Sequence, residues 1–244
     1  MKKIITTLMV ALLFSTGSLM AQKQLYFGGA GTFLSSVIIN QNNYGLPFEM
    51  DYDVTMGGSG NVNIGFDFNK HLGLKMEIGW AKLGQKYSDT FKDTVYTRNI
   101  KLNYLQIPLL FKFRAGGNVA KFYMNVGPQF NILLSAQQKY YKNDSIFTNS
   151  GFNWNKPTLI GEETITDRYN TLDIMARLDL GVDINLTDNL FLNFGFVFAY
   201  GLMDINATDW QIPDYSSNTY NPSHNAYGGF NIGINYALPI GKSK

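Results

Sequence analysis

The chain has 244 residues, with 20 lysines and arginines against 18 acidic residues, two histidines and no cysteine. Without cysteine it can carry no disulfide, no thiolate metal site, no Cys nucleophile and no lipid anchor on Cys. The near-balance of charge gives no footing for a nucleic-acid partner, and 15% aromatics with 24 glycines and only 7 prolines suit a β-protein.

Residues 1–21 begin with Lys2 and Lys3, continue as a mostly apolar run from Ile4 to Phe14, and end in small and polar residues up to Ala21. That order predicts a secretory signal peptide cleaved between Ala21 and Gln22. Its apolar part is shorter than the roughly 20 residues a membrane helix needs. Removing it takes away two lysines and leaves 18 basic residues against 18 acidic ones. Residues 22–244 hold no apolar run of about 18, so no helical span is expected there, and they form one predicted domain.

Eight segments alternate in side-chain character with a period of two, the mark of β-strands whose successive side chains point to opposite faces. The first, Gln24 to about Ile38, is Gly-rich, with Leu25, Phe27 and Phe33 on its apolar face. The second, about Val54 to Phe68, sets Val62, Ile64 and Phe66 against Asn61, Asn63 and Asp67. A tight turn leads to the third, Leu72 to about Gln85, with Leu74, Met76, Ile78 and Trp80 opposite Lys75 and Glu77.

In the fourth, Asn99 to Arg114, the apolar set is Ile100, Leu102 and Tyr104 and then Leu105, Ile107, Leu109, Phe111 and Phe113. This change of parity predicts a β-bulge between Tyr104 and Leu105, next to Pro108. After a short turn at Ala115 to Asn118, the fifth strand runs from Val119 to Ala136. The sixth, Thr171 to Leu186, alternates leucine and isoleucine with Asp173, Arg177, Asp179 and Asp183. The seventh, Leu190 to Met203, carries a ladder of Leu and Phe backed by Asn193, Gly195, Ala199 and Gly201, and the eighth is Ala226 to Leu238.

The connections run long, short, long, short, long, short, long, including polar stretches at Lys86 to Arg98 and Gln137 to Asn170. Short turns on one side and longer loops on the other predict an all-β fold: an eight-stranded antiparallel up-and-down transmembrane β-barrel in the outer membrane, its large apolar face turned to lipid. A soluble lipocalin-like or sandwich fold fits each strand equally well, but it does not predict that alternation of loops.

The inward set then contains Lys75, Glu77, Lys101, Lys112, Arg114, Asp173, Arg177, Asp179 and Asp183, with Asp67 and many Asn and Gln. Charges in a low-dielectric interior must be paired or hydrogen-bonded, so they are expected to form a structural polar network filling the lumen; a narrow conduit for ions or small solutes is the sharper alternative. Enzymatic signals are weak. His71 falls in a turn, and His224 is adjacent to Ser223, which a strand directs to the opposite face. No catalytic, metal or cofactor constellation is expected, and no small-molecule ligand. The outer loops place Trp154, Trp210, Tyr215 and Tyr220 among Asn, Ser and Thr, making them candidates for surface recognition. The interfacial aromatic girdle claims part of the same composition.

Tyr104 to Lys112 (YLQIPLLFK), the Ala115 to Asn118 turn (AGGN), Asn125 to Phe130 (NVGPQF), Ala176 to Gly181 (ARLDLG) and Phe198 to Ile205 (FAYGLMDI) resemble the PorT-like outer-membrane β-barrel family of the Bacteroidota. The resemblance implies an eight-stranded barrel, usually without an assigned activity. One branch is similar to components of the type IX secretion machinery. The chain departs from many outer-membrane barrels in running past Tyr236 to LPIGKSK instead of ending on an aromatic residue. The expected role is non-enzymatic, structural or in recognition through the outer loops, with outer-membrane lipid and other envelope proteins as partners. A subunit of a secretion or envelope complex is the alternative.

Overall fold

The computed structural model describes residues 23–39, 51–91, 94–144, 157–213 and 218–240. The signal segment and the candidates Trp154 and Tyr215 lie outside them. Among the described residues ten strands form in chain order: β1 (Lys23–Ile39), β2 (Asp51–Asp53), β3 (Thr55–Asp67), β4 (Leu72–Phe91), β5 (Thr94–Gly116), β6 (Ala120–Asp144), β7 (Thr158–Thr164), β8 (Leu172–Asn185), β9 (Leu190–Gly201) and β10 (His224–Ile240). All pairings are antiparallel. Eight strands, β1, β3, β4, β5, β6, β8, β9 and β10, close into a ring because β10 pairs with β1 along its whole length. Short β2 and β7 extend the sheet beside the far ends of β4 and β6.

Closure leaves no free edge along the ring, so the backbone is satisfied within the wall. Stepping across ladder partners from Gln24 through Asp67, Gly73, Lys112, Asn125, Asp179, Val197 and Gly229 returns to β1 at Leu34, ten residues further on. The strands are therefore strongly tilted, and an eight-stranded ring is just wide enough to be filled by side chains.

The three short turns share one end with both strand termini, which an outer-membrane barrel keeps in the periplasm. Each has its own local device. Asn69 Oδ1 accepts from the backbone N–H groups of His71 and Leu72, both at 2.8 Å. Thr187 Oγ1 does the same for Asn189 and Leu190 at 3.3 and 3.0 Å. The β5–β6 turn instead uses Gly116, held at φ +142°, where a side chain would meet Ala120 O.

Outside, Phe33, Ile64, Met76, Ile78, Trp80, Phe111, Met124, Phe196, Phe198 and Ile232 are exposed and form an apolar band. Inside at the same height stand Asp67, Lys75, Glu77, Lys112, Arg114, Asn125, Arg177, Asp179, Asp183 and Asn193, all buried.

Beyond the band the polarity inverts. β4, β5 and β6 run on far past it, and two predicted connections, Lys86 to Arg98 and Gln137 to Asn170, are largely strand. Here the interior is apolar: Leu34, Ile38, Leu83, Tyr87, Ile100, Leu102, Tyr104, Ala136, Met175, Val197 and Tyr227 pack into one buried cluster. The outward residues are polar, among them Lys82, Asn99, Lys101, Asn103, Gln137 and Lys139.

This corrects the expected bulge in the fourth predicted strand. β5 keeps one parity throughout, with Ile100, Leu102, Tyr104, Gln106, Lys112 and Arg114 all inward. What changes at Tyr104 is the surroundings, because a strand in water needs its apolar face inside. A register shift does occur, but in β6: Asn103 opposes Ser135 while Tyr104 opposes Leu133, so Leu134 is the extra residue. The β4–β5 ladder also has a gap at Pro108, between the pairs Met76–Leu109 and Gly79–Gln106.

Candidate functional site

From the periplasmic end upward, the lumen holds two charge quartets, an amide belt and the apolar cluster. The first quartet joins β3, β5 and β8. Arg114 Nη2 lies 2.5 Å from Asp67 Oδ2, Lys112 Nζ 2.8 Å from Asp183 Oδ2, and Arg114 Nη1 3.9 Å from the same Asp183 oxygen. Lys112 also sits over the rings of Tyr26, at 4.7 Å, and Phe191, at 5.2 Å. Such faces attract an ammonium group that burial has stripped of water.

The second quartet spans the barrel. Glu77 on β4 takes Lys75 Nζ at 2.7 Å and Arg177 Nη1 at 3.0 Å, and Arg177 binds Asp179 through Nε and Nη2 at 2.7 and 3.2 Å. Gln129 Oε1 accepts from Arg177 Nη1 at 3.3 Å and from the Tyr227 hydroxyl at 2.8 Å. Each quartet carries two positive and two negative groups and is neutral as a unit, which is how a buried ionic layer avoids a net desolvated charge. Between Lys75, Lys112 and Tyr123 only about 10 Å³ is open, room for about one water. Below the quartets, the periplasmic mouth widens to a vestibule of about 610 Å³.

Asp173 stands apart from both quartets. Its Oδ2 accepts from Asn225 Nδ2 at 3.0 Å and Asn131 Nδ2 at 3.4 Å, and Asn225 also donates to the Tyr104 hydroxyl. Lys101 does not join the network at all. It lies on the outer face of β5 between inward Ile100 and Leu102, because β5 carries no bulge at Tyr104.

The described part of the segment between β9 and β10 is tied down at the outer end, with Ile205, Asn206 and Ser223 buried. Asp204 accepts from the Tyr220 hydroxyl at 2.5 Å, from Gln211 Nε2 at 3.0 Å, and from the backbone N–H groups of Ser223 and Asn206 at 3.0 and 3.1 Å. Asn170 Nδ2 ties this segment to the one after β7 through Asp204 O and Asn206 O. Of the described recognition candidates, Tyr220 therefore commits its hydroxyl to Asp204, and Trp210 is covered by the Arg168 guanidinium at 4.3 Å. Ser223 is buried and accepts from Asn206 Nδ2, while the His224 ring stacks on Tyr200 outside at 5.7 Å. Sequence reasoning missed the outward polar rows of β4, β5 and β6. The signal was present: all three strands invert polarity at the one row that aligns Lys82, Asn103 and Ser135.

A closed ring of tilted strands, apolar outside and ionic inside, with short turns at the end that holds its termini, defines a transmembrane β-barrel of the bacterial outer membrane. The chain belongs to the outer membrane protein beta-barrel domain family, whose model matches residues 18–207. Its location is accordingly the cell outer membrane. Similar solved structures include OprG of Pseudomonas aeruginosa (12% identity, 90% of this chain and 97% of that one, TM-score 0.45) and Neisserial surface protein A (11%, 87% and 96%, 0.43). Ail, the attachment invasion locus protein of Yersinia pestis, in complex with the heparin analogue sucrose octasulfate, is also similar (10%, 90% and 100%, 0.39). No curated protein matches the chain in sequence.

Proposed function

We propose that this is a closed, non-catalytic barrel, exported by residues 1–21, whose role in the envelope is structural or recognitive and is carried by the part that rises above the membrane. One observation supports this above others: two ion-pair quartets and an apolar core are stacked along the lumen, while β4, β5 and β6 continue outward as a sheet with a polar outer face. A conduit needs a continuous wet path, and the space beside Lys112 admits about one water. In planar bilayers the purified protein is expected to show no steady open level, and a sustained conductance of substantial size would overturn the closed reading.

The stretches YLQIPLLFK and FAYGLMDI support placing the chain in the PorT-like family. Membership of that family does not itself carry a secretion role, and a subunit of an envelope or secretion complex is the second reading. Photo-crosslinking groups at Thr97 and Ser88, on the outer face of the β4–β5 hairpin, separate the two in intact cells. A reproducible envelope protein captured at these positions supports the subunit role. Capture of external molecules alone supports surface recognition.

A further inference from the structure

The outer face just above the apolar band carries an uneven distribution of charge. Three rows cross β4, β5 and β6 there: Lys82, Asn103 and Ser135; then Gly84, Lys101 and Gln137; then Lys86, Asn99 and Lys139. In the row furthest from the band both lysines are neutralised, Lys86 by Asp53 at 2.9 Å and Lys139 by Glu162 at 2.9 Å. In the two rows nearest the band, Lys82 and Lys101 form neither an ion pair nor a side-chain hydrogen bond among the described residues. They are diagonal neighbours across the β4–β5 ladder, and like charges so placed repel. Partial burial, and next the charges of Lys82 and Lys139, outweigh the opposing Glu162 carboxylate and push the Lys101 ammonium below its ordinary range. Immediately beneath them the exposed Trp80 and Leu134 mark the upper limit of the apolar band, the level at which indoles meet lipid headgroups.

We propose that Lys82 and Lys101 form a binding site for the phosphate group of an outer-leaflet lipid. Two ammonium groups on adjacent strands offer charge-assisted hydrogen bonds to a tetrahedral anion. Asn103, opposite Lys82 in the ladder and held by its 2.9 Å bond to Ser135 Oγ, supplies a neutral flank. An anion at this spot removes the repulsion between the two lysines, and the lipid chains attached to it lie against the apolar wall below. The ion-paired row above lacks this affinity, because Asp53 and Glu162 already hold its lysines. The site is therefore confined to headgroup depth, which favours a lipid phosphate over a soluble anion approaching from the medium.

The test uses the full barrel in neutral detergent with bisphosphorylated lipid A as the probe, bound lipid being counted by native mass spectrometry. The wild type is expected to retain it, and the double variant Lys82→Gln/Lys101→Gln to retain it roughly thirtyfold more weakly, the effect of two basic residues at an anionic lipid surface. Lys82→Arg/Lys101→Arg keeps the charge and is expected to keep the lipid, which separates loss of the site from loss of the fold. Lys86→Gln, in the neutralised row, is expected to change little. Equal retention by the wild type and the double glutamine variant overturns the site. Equal retention of lipid A whose phosphates have been removed overturns its chemistry, and inorganic phosphate binding that lipid A fails to displace overturns its lipid source.

Discussion

Arg177 on β8 reaches across the barrel to Glu77 on β4, Nη1 to Oε2 at 3.0 Å, although β5 and β6 stand between their strands in the wall. The contact ties strands three places apart in the eight-membered ring across the lumen. Glu77 is buried and also holds Lys75, so deleting its carboxylate leaves the quartet with two cations and one acid. Glu77→Ala is expected to lower stability by about 3–5 kcal/mol, measured by denaturant unfolding in lipid vesicles. Replacing Glu77 and Arg177 alone strands Lys75 and Asp179 without their ion partners, so recovery of most of that loss is expected only when all four quartet charges are replaced together by apolar residues of similar volume.

The inverted polarity of β5 is open to direct labelling, since the chain has no cysteine. In intact cells, Lys101→Cys is expected to react with a membrane-impermeant maleimide from outside and Leu102→Cys to stay protected. The opposite pattern would restore the parity change expected at Tyr104.

The outer segment of the barrel should behave energetically as a soluble core. Leu102, fully buried, is expected to cost about 2–5 kcal/mol when cut to alanine. Asn99→Ala, on the outer face of the same strand, is expected to stay within about 0.5 kcal/mol. Thermal loss of heat-modifiable gel mobility ranks the two.

Gly195 and Gly181 leave space for the Tyr123 ring, which lies against both. A side chain at 195 would overlap the Tyr123 hydroxyl and Leu180 O. Gly195→Val is expected to destabilise by about 1–3 kcal/mol, and Tyr123→Leu in the same chain to relieve part of it. The readout is the denaturant midpoint of each variant.

Lys101 and Lys139 should respond in opposite directions. The Lys101 pKa is lowered in the folded barrel, so its charged form costs stability at neutral pH, and the cost fades as pH rises through that lowered value. Lys139 is raised by its hydrogen bond to Glu162, so its contribution is present at neutral pH and is lost as pH rises through its raised value. In lipid-free detergent Lys101→Gln is expected to be neutral or stabilising, and Lys139→Gln neutral or slightly destabilising. The comparison is of melting temperature at neutral and at alkaline pH.

Most of the wall was legible in the chain. The alternation in β8 and β9 and the Asn69, Gly116 and Thr187 turns are local properties, set by the period of two and by residues that stabilise a turn on their own. The placement of Lys75, Glu77, Lys112, Arg114, Arg177, Asp179 and Asp183 inside follows from the same period. Their pairing does not. Glu77 is one hundred positions from Arg177 in sequence, and any of several acids could have met any of several bases until closure fixed their heights.

Lys101 shows where sequence parity alone fails. Periodicity states which residues share a face, and it cannot state which face is wet. Within the bilayer the apolar set turns outward, and above it the same rule turns Ile100, Leu102 and Tyr104 inward. The amino-acid sequence by itself determined the eight wall strands within the membrane, most of their faces and an outer-membrane barrel. Only the tertiary structure decided where β4, β5 and β6 leave the membrane. That height depends on ladder register summed around the closed ring, which no single strand encodes.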